Sequence, residues 1–428
     1  MEVTKLVPIR WPAAWSDPKL ISLLQGSPIN CLVSSGAPAG VVEAARKAGL
    51  TVLEWNSLGA APLAKVDWNS AAERLTIADL VWPRAKPVVR DRASSGPTGG
   101  PWIDSNAWVA RLAAARAPGK QIWLAFDPPK EEEPPNEAAY RVAVADAAAV
   151  GARWILSLDE KLRQALAAGN AEAVKTWRGI LATAAFFETH SAWRAYVHQG
   201  PLAIISTFAG DNEFMGMELL NLAARRNLQY RIVDRLRMAS ADLTGLRGAL
   251  WADADPPAAD VVAKLAAFAR AGGLLIVPRT VAQLFKGEGT LECGVPGYEL
   301  RTFGKGTVAA ATRVWDDPFY LAADAHDLVS RRYDSIRIFN GPSYWTHYSV
   351  APGGTSRLIQ LVSFAGASRF PGMGRSNEVT VRFTFRHSSV ALYRLDAAPE
   401  ALQPVKDGNN IEYRLPQFAV YAALEVKA

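Results

Sequence analysis

Three carboxylates stand at the ends of short apolar runs: Glu54 in TVLEW, Asp127 closing QIWLAFD and Asp159 closing RWILSLD. In a parallel α/β domain the loops that follow the strands build the cleft, so an acid in that position is a candidate reactive group. Two such carboxylates from neighbouring strands, roughly 5 to 5.5 Å apart, are what retaining cleavage of a glycosidic bond requires, one as the protonated acid and the other as the nucleophile. Asp127 and Asp159 are the candidate pair, and Glu54 is the candidate substitute for either. Each also has a local alternative. Asp127 precedes Pro128-Pro129 and could fix a turn, and Asp159 precedes Glu160 and could cap a helix.

Trp55 adjoins Glu54, and Trp102 and Asp104 lie in the long Gly- and Ser-rich stretch RDRASSGPTGGPWIDSN. Loops of that composition commonly cover binding sites. Trp55, Trp102 and Asp104 are therefore the candidate substrate-binding residues, with an N-cap the competing role for Asp104. Of the 14 Trp residues, 11 precede residue 200. Broad indole faces suit stacking on sugar rings and equally suit a core.

Other chemistries lack their residues. The five histidines are scattered without metal-ligand spacing, FFETH is not HExxH, and no GxSxG is present. The glycines of residues 90–106 are not followed by Gly-Lys-Ser/Thr, and GKGT at Gly304 to Thr307 sits between apparent strands and reads as a hairpin turn. Cys31 and Cys293 form neither a disulfide framework nor a zinc site. No metal and no cofactor are expected.

These residues need elements to hold them. Up to about His198, apolar runs (KLVPIRW, INCLVSS, TVLEW, IADLVW, QIWLAFD, RWILSLD) alternate with helical patterns such as VVEAARKAG and EAAYRVAVADAAAVG. The alternation predicts a (β/α) barrel-like domain over 1–198, short for that fold and with some helices reduced or missing. A helical stretch interrupted at Gly169-Asn170 closes it. From 199 to 333 the order strand, helix, strand, strand, helix, strand through PLAIIST, LQYRIVD, GALWAD and LLIVP predicts an open, flavodoxin-like α/β domain. Asp253-Ala254-Asp255-Pro256 stands where a catalytic elbow would carry Cys or Ser, so this domain is expected to do no chemistry. From 334 to 428 the period changes to two, as in EVTVRFTFR, which predicts an antiparallel β-sandwich. Arg279, Tyr344 and Trp345 are candidates for a cleft between domains, with exposed surface as the alternative.

With 428 residues, two or three domains are expected. Half the residues are hydrophobic and 21% are charged, as in a well-buried globular protein. The net charge of +6 comes from dispersed Lys and Arg, so no nucleic-acid footprint is expected. No run is long and apolar enough to cross a membrane, and Met1-Glu-Val-Thr-Lys is not the start of a signal peptide, which makes a cytoplasmic location the default and an extracytoplasmic one the alternative if a leader was removed.

A barrel, a strand-helix unit ending in FARAGGLLIVP and a β tail ending in LPQFAVYAALEV together resemble the multidomain glycosidases of the family-42 β-galactosidase type. The resemblance is best over residues 201–320. It implies a middle domain similar to class I glutamine amidotransferases without their nucleophile, serving homo-oligomer assembly, and a carbohydrate partner. In that family the reaction is carried by two Glu, one in an Asn-Glu pair. Here Asn136-Glu137 sits in a Pro-rich loop, and Asn212-Glu213 and Asn377-Glu378 fall in later domains, so the family's catalytic residues do not carry over. Two functions follow from these residues: a glycoside hydrolase using Asp127 and Asp159, or a carbohydrate-binding or assembly protein with a degenerate barrel. An active amidotransferase is disfavoured by the missing Cys.

Overall fold

The computed structural model describes residues 3–85, 103–130, 134–339, 344–367, 379–407 and 410–427. The chain opens with parallel strands β1 (Pro8–Trp11), β2 (Cys31–Ser34) and β3 (Thr51–Glu54), with helix α1 (Ala39–Lys47) between the last two. A second parallel set follows: β4 (Ala61–Pro62), β5 (Arg74–Ala78), β8 (Gln121–Leu124) and β9 (Arg153–Trp154). Between its members lie the short hairpin β6 (Arg84–Ala85) and β7 (Ile103–Asp104), helix α2 (Ala107–Arg116) and helix α3 (Glu137–Ala148).

The two sets join where Ile9 bridges Leu156 in parallel, supported by the Arg10 N–H donating to the Leu156 carbonyl at 2.8 Å. The result is an arc in the order β4-β5-β8-β9-β1-β2-β3. Among the described residues β3 and β4 do not pair, so the arc is open rather than a closed barrel. Strands β2 and β8 are buried at every position, because helices and neighbouring strands cover both faces. From β3 to β5 only 3₁₀ turns connect the strands, and helices are missing there.

Helices α4 (Glu160–Ala167) and α5 (Ala171–Thr189) close this domain, and the break between them is fixed by Asn170, whose side chain accepts from the Ala173 N–H at 3.0 Å. The next strand, β10 (Val197–His198), pairs with β19 (Tyr344–Val350), so the polypeptide touches a later sheet before entering the middle one.

The middle sheet contains β11 (Leu202–Ser206), β12 (Tyr230–Asp234), β13 (Gly248–Trp251), β14 (Leu274–Val277), β15 (Gly289–Leu291), β16 (Tyr298–Phe303) and β17 (Gly306–Ala311), in the order β12-β11-β13-β14-β17-β16-β15. The first five are parallel and the last two antiparallel. Helices α6 (Glu213–Arg225), α7 (Ala259–Arg270) and α8 (Pro318–Val329) accompany it. Asn227 (φ 56°) follows α6 and Gly304 (φ 61°) makes the tight β16–β17 turn, the left-handed conformations these residue types tolerate.

Two antiparallel sheets complete the chain. One contains β10, β19 (Tyr344–Val350), β20 (Ser356–Ser363), β22 (Ser389–Arg394), β23 (Ala397–Ala401) and β26 (Tyr421–Lys427); the other contains β18 (Ile336–Phe339), β21 (Val379–Phe383), β24 (Val405–Asp407) and β25 (Asn410–Leu415). Ile336, Ile359, Leu361, Val381, Leu392 and Leu424 from both sheets share one core. The alternating EVTVRFTFR segment forms a strand only to Phe383, and residues 411–426 are two strands separated around Pro416. The three parts are tied together by buried polar contacts. Arg116 Nε donates to Asp234 at 2.9 Å, and Gln360 Nε2 donates to the Ala149 carbonyl at 2.6 Å. No helix among the described residues is long and apolar enough to cross a membrane.

Candidate functional site

Strands β8 and β9 are hydrogen-bonded neighbours, with Leu124 opposite Trp154 and the Ile155 N–H donating to the Leu124 carbonyl at 2.8 Å. The segments that leave them therefore run side by side, and both end in the expected acids. Asp127 and Asp159 line one cleft of 740 Å³ at the carboxyl end of the arc. The rest of its wall includes Arg10, Trp11, Ser35, Lys130, Lys161 and Arg163. Four basic and three acidic side chains, counting Glu160, face the same space, which favours a polar, hydroxyl-bearing ligand over an apolar one.

Asp127 is held from two sides. Arg10 Nη1 lies 2.6 Å from Oδ2, and the Ser157 hydroxyl donates to Oδ1 at 2.6 Å. The Arg10 guanidinium also covers the Trp55 ring at 4.3 Å, so one cation links the aromatic residue after β3 to the acid after β8. Pairing in register brings Arg10 there: Ile9 meets Leu156, and the next residue along each strand points into the cleft.

Asp159 has the capping role its sequence allows, and it retains its place in the cleft. Its Oδ1 accepts from the Leu162 N–H at 3.0 Å, in the first turn of α4. Its Oδ2 accepts the Tyr140 hydroxyl at 2.6 Å, and the Asp159 N–H donates back to that hydroxyl at 2.8 Å. Burial, then the hydrogen bond to Asp159, pushes the Tyr140 phenol well above its ordinary range. Tyr140 remains a neutral donor at any physiological pH.

The remaining candidates lie elsewhere. Glu54 ends β3, is exposed and is absent from the cleft wall, because β9, β1 and β2 separate its strand from β8. Trp55 is under Arg10 and is not itself a wall residue. Asp104 is almost fully buried on the β6–β7 hairpin, with Arg84 Nε at 3.6 Å, away from the cleft. Trp102 lies outside the described residues. Tyr344 and Trp345 are interior side chains, 4% and 0% exposed, so neither lines an open cleft. Sequence reasoning missed Arg10, Ser157 and Tyr140. Ser157 alone carried a signal, since it shares the strand face of Asp159 two residues on.

In the middle domain the elbow position is occupied by Asp253, which is fully buried. It accepts from the Ser206 hydroxyl and the Thr207 N–H and lies 2.8 Å from Arg235 Nη1, locking together the ends of β11, β12 and β13. Burial raises its carboxyl above the usual range despite those donors. Cys31 is no alternative nucleophile, because burial pushes its thiol up to about 12. Among the described residues no group of three or more His, Cys, Asp or Glu could hold a metal ion.

No family model and no curated protein sequence matches this chain. Solved structures do. The α-L-fucosidase isoenzyme 2 from Paenibacillus thiaminolyticus superposes with a TM-score of 0.60 at 10% identity, covering 100% of this chain and 98% of that one. This chain shares its fold with a glycoside hydrolase. A β-galactosidase from Bacillus circulans sp. alkalophilus superposes with a TM-score of 0.51 at 10% identity over 82% of this chain, which spans 60% of the β-galactosidase's length. The glycosidase fold thus extends across the open arc, the middle sheet and the antiparallel sheets, and the cleft holding Asp127 and Asp159 lies in the arc.

Proposed function

We propose that the chain is a glycoside hydrolase whose saccharide lies in the 740 Å³ cleft and whose reaction is carried by Asp127 and Asp159. The observation that supports this most is the arrival of two carboxylates from adjoining strands in one polar cleft. In this reading the Ser157 hydroxyl and Arg10 orient the Asp127 carboxyl toward the sugar. Asp159, oriented by Tyr140, is its partner, and Trp55 gains its role through Arg10. Hydrolysis of an acetal by two carboxylates requires no cofactor. The fold shared with an α-L-fucosidase and a β-galactosidase supports a carbohydrate substrate without selecting the sugar.

The middle domain reads as an amidotransferase-like scaffold in which Asp253 has become a structural lock, and the last two sheets read as a β-sandwich. The exposed Phe214 and Leu236, 67% and 77% accessible, support self-association through the middle domain. One observation favours a second reading, a carbohydrate-binding protein without turnover: all four oxygens of the two carboxylates already have partners within the chain.

A panel of aryl glycosides, assayed alongside calorimetric titration with the parent sugars, separates the two. Turnover that disappears in Asp127→Asn while sugar binding remains supports the hydrolase. Sugar binding with no turnover in the wild-type chain supports the binding protein.

A further inference from the structure

A second cleft, of 390 Å³, opens at the amino-terminal edge of the middle sheet, where that edge meets the antiparallel sheets. Its wall carries Arg231, Arg247 and Arg357 together with Tyr333, Ser335 and Tyr348, and no carboxylate among the described residues. Several shielded guanidiniums elsewhere are neutralised by acids: Arg116 by Asp234, Arg153 by Glu188, Arg235 by Asp253 and Arg382 by Glu412.

In this cleft the partners are neutral. Arg231 donates to the Thr244 carbonyl at 3.3 Å and to the Gln199 side chain. Arg247 donates to the Gly272 carbonyl at 3.3 Å and lies 5.0 Å from the Tyr333 ring, which Arg332 also approaches at 4.8 Å. Arg357 covers the Phe385 ring at 4.2 Å. Arg247 Nε and Arg357 Nη1 are shielded from solvent and find no acceptor among the described residues. Asp242 is the acid whose charge reaches Arg231, and its carboxylate is already engaged by the Ala239 N–H at 2.7 Å.

Three like charges in one recess repel one another, and each keeps donors to spare. A compact oxyanion with several acceptor oxygens relieves both conditions, because guanidinium forks match phosphate and sulfate oxygens in pairs. The Tyr348 hydroxyl, which accepts from Arg357 and Ser335, keeps its own O–H as a neutral donor beside them. We propose that this cleft binds a tetrahedral oxyanion, phosphate or sulfate, either free or as the ester group of a saccharide.

The test is calorimetric titration of the full chain with inorganic phosphate and inorganic sulfate against chloride at matched ionic strength, with glucose 6-phosphate and glucose 6-sulfate as further arms. Saturable binding of an oxyanion or its ester is expected, weakened roughly tenfold or more in Arg247→Gln and in Arg231→Gln, since each loses a charged hydrogen-bond donor. Arg231→Gln touches no aromatic ring, so it keeps the test informative if loss of the Arg247 stack harms folding. An ester that binds more tightly than the free ion assigns the group to a saccharide, and equal affinity assigns it to the free ion. The proposal is overturned if no arm exceeds chloride, or if binding is unchanged in the folded Arg231→Gln and Arg247→Gln proteins.

Discussion

Arg10 and Asp127, 117 residues apart, meet at 2.6 Å across the mouth of the arc, and Arg10 is also the residue stacked on Trp55. The pair is part-exposed, with side-chain accessibilities of 30% and 49%, so its contribution to stability is at most about 1 kcal/mol. Its role is positional. Asp127→Asn is therefore expected to unfold at nearly the wild-type urea midpoint while losing at least about 100-fold in turnover of an aryl glycoside substrate. Wild-type turnover in the variant would remove Asp127 from the reaction.

Asp159 requires a different design, because it caps α4 and faces the cleft at once. Asn is as good an N-cap as Asp, whereas Ala is a poor one. Asp159→Asn should keep the helix start and lose turnover, and Asp159→Ala should lose turnover and also about 1 kcal/mol of stability. Urea unfolding with parallel kinetics distinguishes these. If Asp159→Asn is as active as wild type, Asp159 is a cap and nothing more.

Asp127 and Asp159 were legible in the sequence because an acid ending an apolar run is visible in a single segment. Their partners were not, because Arg10, Ser157 and Tyr140 are brought in by register and by a helix packing over the strands. Aromatic composition left both roles open for a related reason. Trp11, Trp123, Trp177, Trp251 and Trp345 are all but fully buried, and a Trp in an apolar run has the same local pattern in a core as beside a ligand. In the middle sheet, the runs PLAIIST, GALWAD and LLIVP become strands that both faces cover, while LQYRIVD becomes the half-exposed edge strand β12. Open and closed arcs of parallel strands differ only in whether the first and last members meet, and nothing in a strand's own residues records that.

Asp253 makes the middle domain testable by itself. Replacing it with Ala leaves the Ser206 hydroxyl and the Thr207 N–H without their acceptor and Arg235 without its counter-ion in a buried place, a change that costs about 3–5 kcal/mol. A matching fall in unfolding free energy is expected, with turnover unchanged at temperatures where the variant is folded. A loss of turnover in folded Asp253→Ala would show that the middle domain takes part in the reaction.

The buried cluster where α2, β10 and β19 meet should respond to acid. His347 is fully buried beside the Arg111 guanidinium and its ring is 6.0 Å from that of His198; burial, reinforced by the positive charge of Arg111, lowers its imidazole to about 3, and His198 is lowered in the same way. An imidazole that titrates lower in the folded chain than its ordinary 6.5 favours folding above that pH, and its contribution is lost as pH falls from 6.5 towards 3. Asp146 works in the opposite sense: burial raises its carboxyl to about 7, so its contribution is complete at low pH and lost as pH rises through 7. The wild-type profile mixes both, and comparison with His347→Leu isolates the histidine. The stability of the wild type relative to His347→Leu should fall below pH 6.5 by up to about 1.4 kcal/mol per pH unit, as measured by urea unfolding from pH 7.5 to 4.5. A difference that stays constant across that range would mean that His347 titrates alike in the folded and unfolded chain, and that its burial beside Arg111 does not control the acid response.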